Sequence, residues 1–243
     1  MPDPSLLTGR RRLYLLRHGH VDYFAPGLTD FTQVPLTEEG RRQAGLAAEA
    51  LGDVQFDAAF HSGLPRTKET LGIILNGEGP EPVAVPDLAE IRGGQVKVDT
   101  AEELAARLAF SFDGAEEEGA SFLPGGELFA EAEERIVRGY RSILREHAWK
   151  RAVLVAHEGV NRILLGHLTG GGLAALPHFE QDLCGINVLD FDVVPAGDGV
   201  EAARVILKAV NLTVHDPLKK DLPRTSLEHM FGIDFGGARP LPK

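Results

Sequence analysis

Short apolar runs that stop at polar, glycine-containing clusters alternate along this chain with segments of helical period. Leu13-Tyr14-Leu15-Leu16 is the first run and reads as a buried parallel strand. It breaks at Arg17-His18-Gly19-His20. Residues 21–36 hold no period, contain Pro26, Gly27 and Pro35, and read as a loop. Thr37 is placed as a helix N-cap, with Glu38 and Glu39 in the first turn. Ala44, Leu46, Ala47, Ala50 and Leu51 carry that helix on, and Gly52-Asp53 ends it. Asp57 to His61 predicts a second strand, broken by Ser62-Gly63. Leu64 to Leu75 predicts a helix, Pro82 to Val85 a short strand, and residues 90–100 a polar segment.

Ala101 to Phe110 predicts a short helix, and residues 113–126, acidic and Gly-rich, an exposed excursion. A long helix is expected from about Glu127 to His147. Ala152 to Ala156 is the clearest strand, and it runs into His157-Glu158-Gly159. Val160 to Leu168 reads as a helix ended by Gly170-Gly171-Gly172. Gly185–Val194 and Ala202–Leu212 alternate and predict a hairpin turning at residues 195–199. From Asp216 the prolines predict a tail that wraps the surface or is partly mobile. The βαβ alternation shows neither repeat nor linker. It predicts one domain over residues 1–243, a three-layer α/β/α sandwich on a mostly parallel sheet. Its core spans about 11–215, with a late hairpin, a lid-like excursion at about 92–126 and a tail from about 216 to 243.

Composition narrows the function. With 36 acidic and 25 basic side chains the formal net charge is −11, which argues against a general nucleic-acid or anionic-membrane binder. A small anionic substrate remains compatible, because a local basic pocket can sit in an acidic protein. The single cysteine, Cys184, excludes an intramolecular disulfide framework and a cysteine zinc cluster. No apolar run has the length of a membrane helix. The opening residues lack an apolar stretch followed by a cleavage site, so a cytoplasmic protein is expected.

Chemistry gathers at three strand ends. Two of them deliver Arg17-His18 and His157, and the third delivers Ser62 and then Arg66. Strands lying side by side would bring two histidines and two arginines to one sheet edge, where open α/β sheets place ligands. Arginine offers a planar fork that matches phosphate oxygens. Histidine beside it is a nucleophile, a proton donor or a further anion contact.

Arg17-His18-Gly19 at the end of the first strand resembles the signature of the histidine phosphatase superfamily, which also holds the cofactor-dependent phosphoglycerate mutases. Further segments match in order. Pro35-Leu36-Thr37-Glu38-Glu39-Gly40 with Gln43-Ala44 resembles the family's first helix. Ser62-x-Leu64-x-Arg66 with Thr70 resembles the segment of the second phosphate-binding arginine. Leu88-Ala89-Glu90 resembles the segment of the acid/base glutamate. Pro124-Gly125-Gly126-Glu127 with Arg135 resembles the start of a later family helix. Val155-Ala156-His157-Glu158-Gly159-Val160-x-Arg162 resembles the second histidine motif, and Asn211 and His215 resemble the end of the last strand.

The resemblance implies a metal-independent phosphomonoesterase acting on a small phosphorylated metabolite, without cofactor, nucleic acid or membrane. His18 would attack phosphorus and form a phosphohistidine. Arg17, Arg66 and His157 would hold the non-bridging oxygens. Glu90 would protonate the leaving alkoxide and then activate water, which calls for a raised pKa. Glu102, Glu103 and Glu158 are the alternative proton donors. Two other readings stand beside it, a phosphoglycerate mutase and a non-catalytic phosphate-binding regulatory module.

Three positions depart from the family pattern: His20 in place of Glu or Gln, Phe24 where Asn is common, and Glu158 in place of Gly. A carboxylate beside His157 is expected to raise its pKa or to crowd an anionic substrate. His20 and His61 read as hydrogen-bonded structural histidines, Glu116-Glu117-Glu118 as a solvated loop, Cys184 as buried and Trp149 as packed. The loop 21–34 and the excursion 92–126 are expected to select the leaving group. Tyr23, Phe24, Phe31, Phe110, Phe112 and Phe122 would give that lid an apolar face, pointing to a substrate larger than a three-carbon acid.

Overall fold

Alternation along each central strand decides the layering. The computed structural model describes residues 7–23, 25, 27–28, 30–94, 101–197, 199–214, 216–220 and 224–231. It contains strands β1 (Gly9–Arg17), β2 (Ala58–His61), β3 (Pro82–Ala84), β4 (Arg151–Ala156), β5 (Ile186–Ala196) and β6 (Gly199–Leu212). They form one six-stranded sheet in the order β3-β2-β4-β1-β5-β6. The β3-β2-β4-β1 portion is parallel, and β5 and β6 are antiparallel additions.

Helices α1 (Glu38–Leu51) and α2 (Pro65–Leu75) cover one face; α4 (Phe129–Glu146) and α5 (Glu158–Thr169) cover the other. Leu16, Ala59, Val153 and Val155 pack beneath Ala44, Ala47 and Leu71. Their neighbours Leu13, Leu15, Phe60, Ala152 and Leu154 point the opposite way, toward Ile136, Ile143 and Ile163. Period-two alternation between two helical layers is the three-layer α/β/α sandwich. A helix α3 (Ala101–Ala109) lies in the excursion, and α6 (Ser226–Phe231) lies in the tail, packed against it. Among the described residues no helix is long and apolar enough to cross a membrane.

Four expectations need correction. β1 starts at Gly9 rather than Leu13, because its arginines find partners inside the fold. Arg10 and Arg12 face Asp192 and Asp190 across the β5 ladder and bond to them. Arg11 is fully buried, stacks over Trp149 and donates to the carbonyls of Leu144 and His147. α5 begins at Glu158, earlier than Val160, with the His157 carbonyl already accepting the Asn161 N–H as the first helical bond. The β5–β6 hairpin is tighter than expected, with Ala196 paired to Gly199. The tail is not simply a surface wrap: α6 buries Leu227, and Thr225 and Glu228 cap it reciprocally. His215 and Phe24 lie outside the described residues.

Phe112 and Phe122 also depart from the expected lid face. They pack edge to face on each other, and Phe112 continues onto the core residue Phe129. Phe31 is exposed.

Candidate active site

Strand register sets the site. Arg17 pairs with Ala156 and His61 with Val155, so the three chains leave the sheet side by side at His18, His157 and Ser62. The rings of His18 and His157 stand edge to face with centroids 5.2 Å apart. Arg66 is on the first turn of α2, directly after the Ser62-Gly63 break and the helix-starting Pro65. Arg17, His18, Arg66 and His157 are all buried, none more than 3% exposed. The structure therefore brings together the four residues expected to meet.

His18 is locked by its own backbone. Its Nδ1 lies 2.7 Å from the Gly19 carbonyl, which can only accept, so Nδ1 carries the proton and Nε2 keeps a free lone pair. Burial, with Arg66 and Arg17 adding to it, holds the imidazole well below its ordinary pKa. His18 is thus neutral near pH 7. The Gly19 N–H donates to Thr70 Oγ1, and Thr70 in turn donates to the Arg66 carbonyl, tying the loop to α2. Gly19 and Gly40 touch backbone to backbone. A side chain on Gly19 would bring its Cβ 2.5 Å from the Gly40 carbonyl oxygen, which accounts for both glycines.

His157 is held from the other side, with Nε2 2.7 Å from Ser62 Oγ. Burial, then Arg66, His18 and Arg17, keep its pKa well below the ordinary value. The expected upward shift from Glu158 is absent, because that carboxylate is engaged elsewhere. One oxygen pairs with Arg17 at 2.8 Å and the other with Arg162 at 2.8 Å, all three groups being buried. Arg162 also reaches Glu180, and its guanidinium lies over the Phe112 ring. Arg17 further donates to the Gln181 carbonyl and to Ser226 Oγ of α6.

Glu90 is half-buried just after the turn Pro86–Leu88. Burial raises its pKa, against the lowering pull of the Ile91 N–H and Arg66. It rests on the backbone of Gly159, where a Cβ would come within 2.8 Å of its Oε1. Of the alternative donors, Glu158 is committed to two arginines and Glu103 pairs with Arg107 on α3. The side chain of Glu102 is outside the described residues.

The structural readings of the neighbours hold. His20 bonds Thr37 through Nδ1, and His61 Nδ1 accepts the Gly63 N–H. Cys184 is buried and its thiol is pushed up to about 12. Trp149 is buried and donates to the Ile143 carbonyl. Among the described residues no group of three or more His, Cys, Asp and Glu is placed to hold a metal ion.

Three contacts escape sequence reasoning. Tyr23 lies with its ring 5.8 Å from the Arg66 guanidinium. Ser226 meets Arg17 from a tail that carries no periodic signal. Arg162 is visible in the sequence only as a letter of a motif. Beside these residues a cavity of about 430 Å³ opens between His20, Tyr23 and Gln43 on one side and Ser226, His229 and Met230 on the other.

Comparison with known proteins places this geometry. A probable 2-carboxy-D-arabinitol-1-phosphatase of Arabidopsis thaliana is 32% identical over 223 residues, covering 90% of this chain and 45% of the relative. A metal-independent phosphoserine phosphatase of the same plant is 30% identical over 162 residues, 65% of this chain and 68% of the relative. The chain spans about half the length of the first-mentioned relative. Among solved structures, a mycobacterial glucosyl-3-phosphoglycerate phosphatase superposes with a TM-score of 0.65 at 26% identity, over 83% of this chain and 99% of that one. Residues 13–194 match the profile of the histidine phosphatase superfamily, branch 1, and the chain belongs to that superfamily.

Proposed function

We propose that the chain hydrolyses a small phosphomonoester through a phosphohistidine on His18. One observation carries this reading. Arg17 Nε, Arg66 Nε and His157 Nδ1 are all buried and without a hydrogen-bond partner, and they belong to the residues gathered around His18. An unsatisfied buried polar atom costs about 1–3 kcal/mol, so two open guanidinium donors beside an open ring nitrogen suit a ligand rich in acceptor oxygens that can also share a proton. A phosphoryl group has three non-bridging oxygens.

The chemistry follows from these atoms. His18 Nε2 attacks phosphorus in line, a P–N bond forms and the P–O bond to the leaving group breaks. Arg17, Arg66 and His157 hold the non-bridging oxygens as charge spreads over them. Glu90, whose pKa burial raises, gives a proton to the leaving oxygen. The resulting carboxylate takes a proton from water, whose oxygen attacks phosphorus and releases His18. The two phosphatase relatives support hydrolysis over mutase chemistry, and so does Ile91-Arg92-Gly93-Gly94, which departs from the mutase pattern after Glu90.

The test is hydrolysis of p-nitrophenyl phosphate at about pH 5 to 8, with and without EDTA, for the natural chain and His18→Ala. Activity should survive EDTA and fall by at least about a thousandfold in the variant. Undiminished turnover by His18→Ala would overturn the reading.

A further inference from the structure

The Pro124-Gly125-Gly126-Glu127 segment and Arg135 stand out in the sequence, yet neither touches the phosphate-binding groups. Their contacts converge on the backbone that carries Glu90. Arg135 uses four of its five N–H donors. NH1 donates to the carbonyls of Asp87 at 2.6 Å and Ala89 at 2.9 Å. Nε and NH2 form a parallel pair of bonds to the Glu127 carboxylate, each 2.8 Å. Glu127 is buried, and it grips the far side of Glu90: its Oε2 accepts the Arg92 N–H, and its own N–H donates to the Arg92 carbonyl. The backbone from Asp87 to Arg92 is therefore bound on both flanks of Glu90 by one partly buried ion pair.

Close packing completes the grip. A Cβ on Gly126 would sit 2.7 Å from the Arg92 carbonyl oxygen, so the Gly126 turn lies flat against that strand of backbone. A Cβ on Gly139 would meet Asp87 Cβ at 2.9 Å, so α4 also presses the turn before Glu90. Arg138 of α4 pairs with the Asp87 side chain. The carboxyl so positioned is faced by Arg66 from α2, Arg17 from β1, Glu158 from α5 and Tyr23 from the 21–36 loop.

We propose that Glu127 and Arg135 are positioning residues for the general acid, a bidentate clamp that fixes the Asp87–Arg92 backbone and thereby aims Glu90 at the leaving oxygen. The inference rests on the phosphatase reading above. It assigns a job to side chains that meet neither substrate nor reacting atoms. Arginine is required at 135 because only a planar fork serves a carboxylate and two carbonyls at once; lysine cannot.

The measurement is kcat/KM for two esters, an alkyl phosphate and p-nitrophenyl phosphate, in Arg135→Lys and Glu127→Gln, with thermal melting as a check on folding. An alkoxide needs the proton that Glu90 delivers, whereas p-nitrophenolate leaves readily without it. A misaimed acid should cost about 30-fold on the alkyl ester and no more than about threefold on the aryl ester. The alkaline limb of the pH profile should also move to lower pH, since a loosened Glu90 gains water and its pKa falls toward the ordinary value. Equal losses on both esters with an unmoved limb would overturn the clamp. Glu127→Gln is isosteric and decides the question where Arg135→Lys does not fold. Glu90→Gln is run alongside: the same leaving-group signature there with none in the clamp variants overturns only the clamp, while its absence in Glu90→Gln overturns the acid assignment itself.

Discussion

Ser62 Oγ lies 2.7 Å from Nε2 of His157, and the direction of that bond can be read from its neighbours. Thr67 donates its hydroxyl proton to the Leu64 carbonyl, so toward Ser62, 3.0 Å away, it can only accept. Ser62 therefore donates to Thr67 and accepts from His157. The neutral ring carries its proton on Nε2, and the unpartnered Nδ1 presents a lone pair to the site. A phosphoryl oxygen at Nδ1 then needs a proton between them, on the ring or on the ligand.

Binding of sulfate, a tetrahedral dianion like the phosphoryl group, should accordingly take up about one proton at pH 8, where neither the free anion nor Nδ1 carries one. The dianion offsets the neighbouring cations Arg17, Arg66 and Arg135 that otherwise oppose protonation of His157. Calorimetric titration in buffers of different ionisation enthalpy reads the proton count directly. A count near zero would refute the assigned tautomer.

Glu158 between Arg17 and Arg162 leads to a second expectation. Replacing it by Gln leaves two buried guanidinium groups facing each other, a loss of about 3–5 kcal/mol for a broken buried ion pair. Phosphate bound at Arg17 restores a negative partner. The variant should melt lower than the natural chain without ligand and gain more from added phosphate. Equal phosphate-induced shifts in Tm would show that Glu158 does not share Arg17 with the ligand.

These partners also show where sequence reading stops. The strand-end residues Arg17, His18, Arg66 and His157 were legible, because an apolar run that ends in a polar cluster fixes both the strand and the edge at which its side chains emerge. β1 extends past its apolar run through Arg10, Arg11 and Arg12, which carry no hydrophobic signal. Their partners Asp190 and Asp192 and the Trp149 ring are distant in sequence and carry no local signal. The helix α6 has six residues, too few to announce itself by period, and owes its place to the Glu180 carboxylate that accepts the Ser226 N–H. Glu158 was visible as a departure from pattern, but its role depends on Arg17 and Arg162 flanking it in space. Glu127 and Arg135 were visible as a motif, without the backbone they hold.

Gly159 gives a third prediction. Ala at this position brings a Cβ within 2.8 Å of Glu90 Oε1 and 2.6 Å of Ile91 Cδ1, so the carboxyl must move. Alanine favours helix over glycine by about 1 kcal/mol, which works against any loss of stability. Gly159→Ala should keep its Tm within a few degrees while kcat/KM for an alkyl phosphate falls about tenfold or more. Unchanged turnover would mean that the Glu90 carboxyl does not need the space above Gly159.

The buried histidines set the last expectation, the dependence of stability on pH. Both His18 and His157 have folded-state pKa values well below the ordinary 6.5. Below pH 6.5 the unfolded chain binds protons at these two sites that the folded chain does not, so stability must fall as pH falls through that value. The sign is opposite for Glu90, whose raised pKa removes stability as pH rises through it. Urea unfolding between about pH 7 and 5 should show a decline that becomes shallower in His157→Gln, where one neutral buried ring no longer has to be protonated on unfolding. Phosphate should flatten the slope as well, by supplying the anion that lets His157 hold its proton in the folded state. A slope identical in the natural chain, the variant and the phosphate complex would rule out these two histidines as its source.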